Sequence, residues 1–420
     1  MPPRRRMAAA FALGAALAAQ ALAAGPAAAT IADPLPAGTH LYVPPPVPGA
    51  AQQVAQLERV GASRDAALVA TMITTPQAVW FSSGTPKDVR KAVHAVSVHA
   101  HVARSVPTLV AYDVPGRDCS QYSSGGAGSD AAYRAWADGL ASGLPPRQRV
   151  IVIVEPDGLA NLPSDCPGAY AGQDVAALTA GRIADIRYAG EAIMQADPAA
   201  LVYLDAGHSA WHSVGDIAQR LDAAGVREFQ GFSLNVSNYQ PTPQLDQYGT
   251  WISKCLYYAA NTAEGGWRVG HYDYCASQYY PATPTDYSTW HLTDEWYAAN
   301  VDNGPNPPTS TTQLAHFVVD TSRNGQGPWT TTTPYPDKQD WCNPPGRGLG
   351  LRPTTDTGVP LVDAYLWIKT PGQSDGQCNR GIAGSATDPE WGGMVDPAAG
   401  DWFPQQALQL ARLAQPPLLP

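Results

Sequence analysis

Five aspartates of this sequence recur in one kind of place. Asp118, Asp157, Asp205, Asp320 and Asp375 each stand at, or a few residues beyond, an apolar run, and His208, Arg323 and Lys369 stand among them. Carboxyl groups gathered this way can transfer protons if one stays protonated near neutrality while a neighbour is ionised. Cleavage of a glycosidic bond needs that pairing, because one carboxylic acid must donate to the leaving oxygen. Asp157 is the candidate acid: it follows an apolar run and sits two residues after Glu155. An ionised Asp118 nearby would hold its proton on by charge repulsion. The nucleophile-elbow pattern G-x-S-x-G is absent, as are the HExxH and EF-hand patterns. No metal or organic cofactor is implied.

The runs that carry these residues are short, apolar and rich in β-branched side chains. They fall at 78–81 (AVWF), 108–113 (TLVAYD), 149–155 (RVIVIVE), 200–205 (ALVYLD), 229–235 (FQGFSLN), 316–320 (HFVVD) and 364–369 (AYLWIK). Near-continuous hydrophobicity is what a parallel strand covered on both faces requires. Helical spacing appears between them at 129–144, 175–196 and 216–224, and again at 404–414. Alternation of this kind predicts an α/β barrel or a doubly wound sheet. The doubly wound sheet would want a glycine-rich phosphate loop after its first strand, and none is present. A barrel opens all its C-terminal strand ends onto one face, which would gather the carboxylates into a single cleft. Residues 31–50 are proline-rich and predict an extended lead-in outside the core. No internal repeat, linker or second domain is evident, so residues 30–420 read as one domain.

Composition narrows the partners. The formal net charge of −10 repels phosphate backbones and anionic bilayers, so neither nucleic acid nor membrane is an expected partner. Twelve Trp and 19 Tyr against 6 Phe favour flat apolar faces with a polar handle, which suits the stacking of sugar rings as well as ordinary packing. Residues 1–29 read as a secretory leader: Arg4, Arg5 and Arg6, then an apolar stretch, then small residues at Ala27-Ala28-Ala29, with Ala21-Leu22-Ala23 as an alternative cleavage site. A secreted, extracellular chain is therefore expected. Its six cysteines, Cys119, Cys166, Cys255, Cys275, Cys342 and Cys378, then favour three disulfides. Spacing alone leaves all fifteen pairings open.

Six stretches taken together resemble glycoside hydrolase family 6, the inverting endoglucanases and cellobiohydrolases. They are 112–119 (YDVPGRDC), 153–157 (IVEPD), 203–208 (YLDAGH), 320–325 (DTSRNG), 341–343 (WCN), and 367–369 (WIK) with 374–376 (SDG), in family order. The resemblance implies a distorted, seven-stranded parallel (β/α) TIM-like barrel acting on a β-1,4-glucan; a monomer is expected. It implies Asp157 as general acid, Asp118 as the residue that raises the acid's pKa and orders water, and Tyr112 as the group that crowds the −1 sugar. Ser124 matches the serine that positions the attacking water, and Asp375 the proposed base. Trp80 matches the −2 stacking platform. Asp205, His208, Trp211, Asn235, Trp341 and Lys369 match sugar-contacting positions, and Arg323 a further polar contact. The resemblance also pairs Cys119 with Cys166 and Cys342 with Cys378, leaving Cys255 and Cys275 to each other.

Two departures from the family pattern stand out. Gln373 occupies a position where the family usually has Glu, so a neutral amide faces the sugar. Val214 stands where processive members often carry a Trp. Endo action is the leading reading, and a loop-closed cellobiohydrolase the alternative, because the segment from Asp375 to Trp402 is long. A non-catalytic carbohydrate-binding barrel and a retaining glycosidase are the competing classes; turnover and product anomer separate them.

Overall fold

The computed structural model describes residues 34–420. The expected leader at 1–29 lies outside the described residues. Seven strands form one all-parallel sheet in chain order: β1 (Val79–Phe81), β2 (Thr108–Ala111), β3 (Val150–Val154), β4 (Ala200–Asp205), β5 (Gly231–Leu234), β6 (His316–Asp320) and β7 (Val362–Leu366). All seven expected strands are present. The last begins two residues earlier than the apolar run suggested, at Val362, and its end at 367–369 has already left the ladder.

Strand alternation splits the sheet into two buried layers. Ile151 and Ile153 of β3 point into the barrel with Val110, Leu201, Val318 and Leu366. Val150, Val152 and Val154 point outward to the helices with Leu109, Val202, Phe232 and Phe317. Both faces are apolar, and that is why β3 reads as an unbroken VIVIV run. The expectation that the proline-rich lead-in stays outside the core is corrected here. Leu35 and Leu41 are buried in the inner layer, and Leu41 bridges Val106 beside β2.

Nine helices among the described residues cover the outside: α1 (Ala50–Arg59), α2 (Ser63–Ile73), α3 (Pro86–Val102), α4 (Asp130–Ala141), α5 (Val175–Ala196), α6 (Val214–Ala223), α7 (Thr242–Tyr258), α8 (His291–Tyr297) and α9 (Pro404–Arg412). The sequence reading marks four of these, α4, α5, α6 and α9, and passes over the rest. Its segment 129–144 shortens because Ser129 caps α4, its hydroxyl accepting from Ala132 N–H at 3.2 Å.

The barrel closes imperfectly. β1 and β7 do not pair as strands among the described residues; the seam is held by Ala78 N–H to the Trp367 carbonyl at 2.9 Å and by Trp80 Nε1–H to the Ile368 carbonyl at 2.8 Å. This seam lies directly beside the C-terminal strand ends, so Trp80 is fixed at the rim of whatever those ends enclose. The loops at that end are stapled. Cys119–Cys166 joins the loops after β2 and β3, and Cys342–Cys378 joins those after β6 and β7. Cys255–Cys275 anchors α7 to the following segment. These are the pairings the resemblance implies. In that segment Trp290 is buried against Trp251, ring centroids 5.1 Å apart. No helix among the described residues is long and apolar enough to cross a membrane.

Candidate active site

The C-terminal strand ends enclose a cleft of about 940 Å³. Asp118, Asp157 and Asp375 line it with Tyr112, Ser123, Ser124 and Lys369; Trp80, His208, Trp211, Trp341 and Gln373 complete the sugar-facing candidates.

Asp157 sits three residues past β3 with φ 64°, and Glu155 before it has φ 51°. Two non-glycine residues in the left-handed region cost energy, roughly 1–3 kcal/mol each, that surrounding structure must offset. Glu155 provides part of that support. It is fully buried and accepts from Asp113 N–H at 3.0 Å and Val114 N–H at 3.1 Å, so it locks the β2 loop to the β3 loop. Burial pushes its carboxyl up to about 7. Asp157 is densely surrounded by protein yet keeps part of its surface open to the cleft. Burial, and then the negative charges of Asp205, Asp118 and Asp375, hold its carboxyl well above the usual carboxylate range.

Asp205 lies beneath Asp157 and titrates with it. Its Oδ1 accepts from Asp157 N–H at 2.9 Å and Gly207 N–H at 3.1 Å, and its Oδ2 from the Ser233 hydroxyl at 3.0 Å. No donor among the described residues reaches the Asp157 carboxyl. Hydrogen bonds favour the ionised form of the group that accepts them. Asp205 is therefore the anion of the pair and Asp157 holds the proton.

Asp118 stands on the loop after β2, with φ 58°. Its Oδ2 accepts from Ser123 N–H at 2.8 Å and Ser123 Oγ at 2.9 Å, while Oδ1 has no donor among the described residues. Burial raises its pKa and the Ser123 bonds oppose the rise. Ser123 Oγ also lies 3.0 Å from the Tyr112 hydroxyl, so one serine ties the two groups together. Arg117 organises the same turn. It donates to the carbonyls of Ser123 at 3.0 Å and Ser82 at 2.9 Å, also reaches the Tyr112 carbonyl, and lies 4.5 Å over the Tyr112 ring. The turn requires Gly126: φ is +92°, and a Cβ would sit 2.0 Å from the Val114 carbonyl oxygen.

Asp375 is held differently. Arg323 Nη1 is 2.8 Å from its Oδ2 and Lys369 Nζ 3.1 Å from its Oδ1; Asn343 N–H donates to Oδ2 at 2.9 Å. Burial alone would raise its pKa, but Arg323 and then Lys369 outweigh it and bring the carboxyl down to about 2. Asn343 continues the network through its Nδ2 to Ser374 Oγ and Asp396 Oδ2, at 3.0 and 2.8 Å.

The aromatic walls are spaced along the cleft. The Trp80 ring meets Tyr112 edge-on with centroids 5.4 Å apart, and Trp341 lies 5.9 Å from Tyr122. Trp211 lies 5.4 Å from His208. His208 Nδ1 accepts from Ala210 N–H at 3.2 Å, and burial lowers its pKa to about 4, so the ring is neutral with its proton assigned to Nε2. The Gln373 amide makes no hydrogen bond among the described residues and is free for a ligand.

Three expected sugar contacts are corrected by the structure. Asp205, Asn235 and Arg323 are all buried and do not line the cleft. Asn235 spends its amide on the Asp320 carbonyl at 2.9 Å and on Gln240 N–H at 3.0 Å. Arg323 spends its guanidinium on Asp375 and the Ser237 carbonyl. They brace the floor instead of forming it. The sequence reading also misses Ser123, Tyr239 and Trp329, which line the cleft. Ser123 was within reach, being next to Ser124 in the same loop. Tyr239, whose hydroxyl is 3.4 Å from Asp375 and whose ring lies under Arg323 at 4.6 Å, carried no signal beyond following a strand end.

Comparison with known proteins agrees with this geometry. Residues 36–414 match the family model described as glycosyl hydrolases family 6. Endoglucanase A of Cellulomonas fimi is 33% identical over 352 residues, 84% of this chain and 57% of that protein. Endoglucanase 1 of a Streptomyces species (strain KSM-9) is 35% identical over 74% of this chain and 67% of its own length. The chain thus spans little more than half of the first relative and two thirds of the second. The structure of the endoglucanase Cel6 from Mycobacterium tuberculosis, in complex with methyl-cellobiosyl-4-deoxy-4-thio-β-D-cellobioside, superposes with a TM-score of 0.62 at 33% identity, covering 90% of this chain and 97% of that one.

Proposed function

We propose, on the premise that this chain belongs to the glycosyl hydrolases of family 6, that it is a secreted, monomeric glucanase hydrolysing internal β-1,4-glucosidic bonds with inversion. The observation that carries the reading is the different setting of the three cleft aspartates: no donor among the described residues reaches the Asp157 carboxyl, Asp118 keeps one oxygen free, and Asp375 is paired with Arg323 and Lys369. Tyr112 and Trp80 bound the space in which the reacting sugar and its neighbour lie. Asp157 donates its proton to the glycosidic oxygen as the C1–O bond breaks. Water attacks C1 from the opposite face, its oxygen forming the new bond, and its proton passes to Asp118 Oδ1 directly or through the Ser123–Ser124 turn. Solvent then resets both carboxyls.

The resemblance offers Asp375 as the proposed base, with a relay of the water's proton as the alternative; the ion pairs of Asp375 favour Asp118 in that role. A carboxylate with a pKa of about 2 is too weak a base for the operating range, since efficient bases have pKa values near the working pH. Burial and proximity to other anions make Asp118 the better match. Asp375 instead fixes Lys369 and the loop that carries Gln373.

Hydrolysis of a soluble cellulose derivative by the wild type and by Asp157→Ala tests the reading. Release of reducing ends is expected from the wild type and to be lost in the variant; full activity in the variant overturns the assignment. One observation favours a second mode. Tyr122, on the β2 loop, donates to Asn379 Oδ1 at 3.1 Å and accepts from Gln339 Nε2 at 3.1 Å, so the loops after β2, β6 and β7 are joined at the cleft wall that Tyr122 forms. Loops joined in this way are what a processive, tunnel-bound cellobiohydrolase would use. Endo action predicts a steep early fall in viscosity per reducing end released, and processive action predicts little.

A further inference from the structure

The glycone end of the cleft does not stop at Trp80. A second cavity of about 190 Å³ adjoins it, sharing Trp80 and Gln373 as common walls. Its other walls include Pro44 and Pro46 of the lead-in, Ile73 at the end of α2, Gln77, Thr370 and Trp402. Resting on the functional reading above, we propose that this cavity is a further glycone subsite, −3, which receives one more glucosyl unit of the bound chain.

The shape is specific. The Trp402 ring is seated between two glycines: a Cβ on Gly49 would lie 3.1 Å from its Cβ, and one on Gly372 would lie 2.6 Å from its ring atoms. Both glycines have positive φ, +92° and +91°, so the backbone on each side is committed to making room for that ring. Trp402 Nε1–H is tied to Gln53 Oε1 at 2.8 Å, and its backbone bridges Gln373. The indole is thus held rigidly opposite the proline wall. Flat apolar faces with polar groups at the edge are what a pyranose ring needs, its axial hydrogens on the faces and its hydroxyls at the rim.

The rim is polar and unspent. Thr370 Oγ1, Gln77 Oε1 and the Gln373 amide make no hydrogen bonds among the described residues, although Gln77 Nε2 is fixed to the Met72 carbonyl at 2.9 Å. A cavity of about 150 Å³ already admits a six-membered ring such as benzene. Gln373 faces both spaces, so its amide can hydrogen-bond hydroxyls on the −2 and −3 units together, offering both a donor and an acceptor where Glu would offer only acceptors. Continuity with the catalytic cleft identifies the occupant: the two spaces share Trp80 and Gln373, so a chain stacked on Trp80 can run on into this cavity.

Cleavage mapping with cello-oligosaccharides carrying ¹⁸O at the reducing end tests this, with mass spectrometry of early products. The structure predicts that cellopentaose yields unlabelled cellotriose and labelled cellobiose, with kcat/KM about tenfold above cellotetraose. Ile73→Trp, which fills the cavity from the end of α2, is expected to bring the pentaose-to-tetraose ratio to about one. Unlabelled cellobiose with labelled cellotriose, or a ratio that Ile73→Trp leaves unchanged, overturns the subsite while leaving the hydrolase standing. No cleavage of any oligosaccharide overturns the functional reading itself, and the subsite with it.

Discussion

Replacing Asp205 with Asn isolates the charge that holds the catalytic proton. Asp205 Oδ1 accepts both backbone donors, Asp157 N–H and Gly207 N–H, and Oδ2 accepts only the Ser233 hydroxyl. An asparagine in the same rotamer keeps Oδ1 for the two amides and turns its Nδ2 toward Ser233 Oγ, so the geometry survives and only the charge is removed. The 2.9 Å bond from Asp157 N–H brings the two carboxyls close together. At a separation on the order of 5 Å and an effective dielectric constant of about 20, two unit charges repel by about 3 kcal/mol. That corresponds to about 2 pKa units, reduced toward about 1 by water in the cleft. Asp157 must be protonated to act, so activity falls as pH rises through its pKa. Removing the neighbouring anion lowers that pKa. The basic limb of the kcat–pH profile on cellotetraose is therefore expected to move to lower pH by about 1–2 units in Asp205→Asn. A basic limb that stays in place while Tm is unchanged would refute the claim that Asp205 holds the proton on Asp157.

Other consequences follow from neighbouring groups. Ser123→Ala removes the hydroxyl that joins Asp118 to Tyr112; hydrogen bonds to charged groups contribute about 1.5–3 kcal/mol, so kcat is expected to fall roughly tenfold to hundredfold with little change in Tm. Arg323→Met leaves Asp375 buried with Lys369 as its only cation, and a loss of about 3–5 kcal/mol in denaturant unfolding is expected. Glu155 and Asp396 are raised to about 7 and Asp113 to about 6, burial being the first cause in each. Their folded values exceed their unfolded ones, so the stability they contribute is full below about pH 4 and is lost as pH rises through 6–7. Asp375, at about 2, acts oppositely, contributing about 2 kcal/mol that disappears as pH falls from about 4 to 2. Thermal unfolding is thus expected to peak near pH 4–5 and decline toward pH 8; a Tm rising from 5 to 8 would contradict these burial shifts.

The strands were legible because both of their faces are buried, which writes an unbroken apolar run such as VIVIV at β3. Helices were less so. α3 carries five valines and three histidines, which mask its period, yet its start was written in Thr85-Pro86 with Asp88: a proline at the first turn and a capping box, with Asp88 N–H to Thr85 Oγ1 at 3.2 Å. In the site, cleft-facing residues such as Asp118, Asp157 and Lys369 were readable from strand ends, whereas Tyr239 and Trp329 were not, nor were Asp205, Asn235 and Arg323 readable as braces. A strand-end residue points inward or down according to backbone conformation, and Asn235, with φ 68°, turns away from the cleft. The Trp402 cavity was invisible for a related reason: its walls come from the lead-in, α2, the seam beside β1 and the final loop, far apart in sequence.

The central claim is that Asp157, as a protonated acid, drives single-step inversion. Proton NMR of the first products from cello-oligosaccharides tests it most directly, comparing the wild type with Asp157→Asn. The account predicts that the α-anomer appears first with the wild type and that the variant forms no product. Early β-anomer from the wild type, or undiminished α-anomer from the variant, would contradict it.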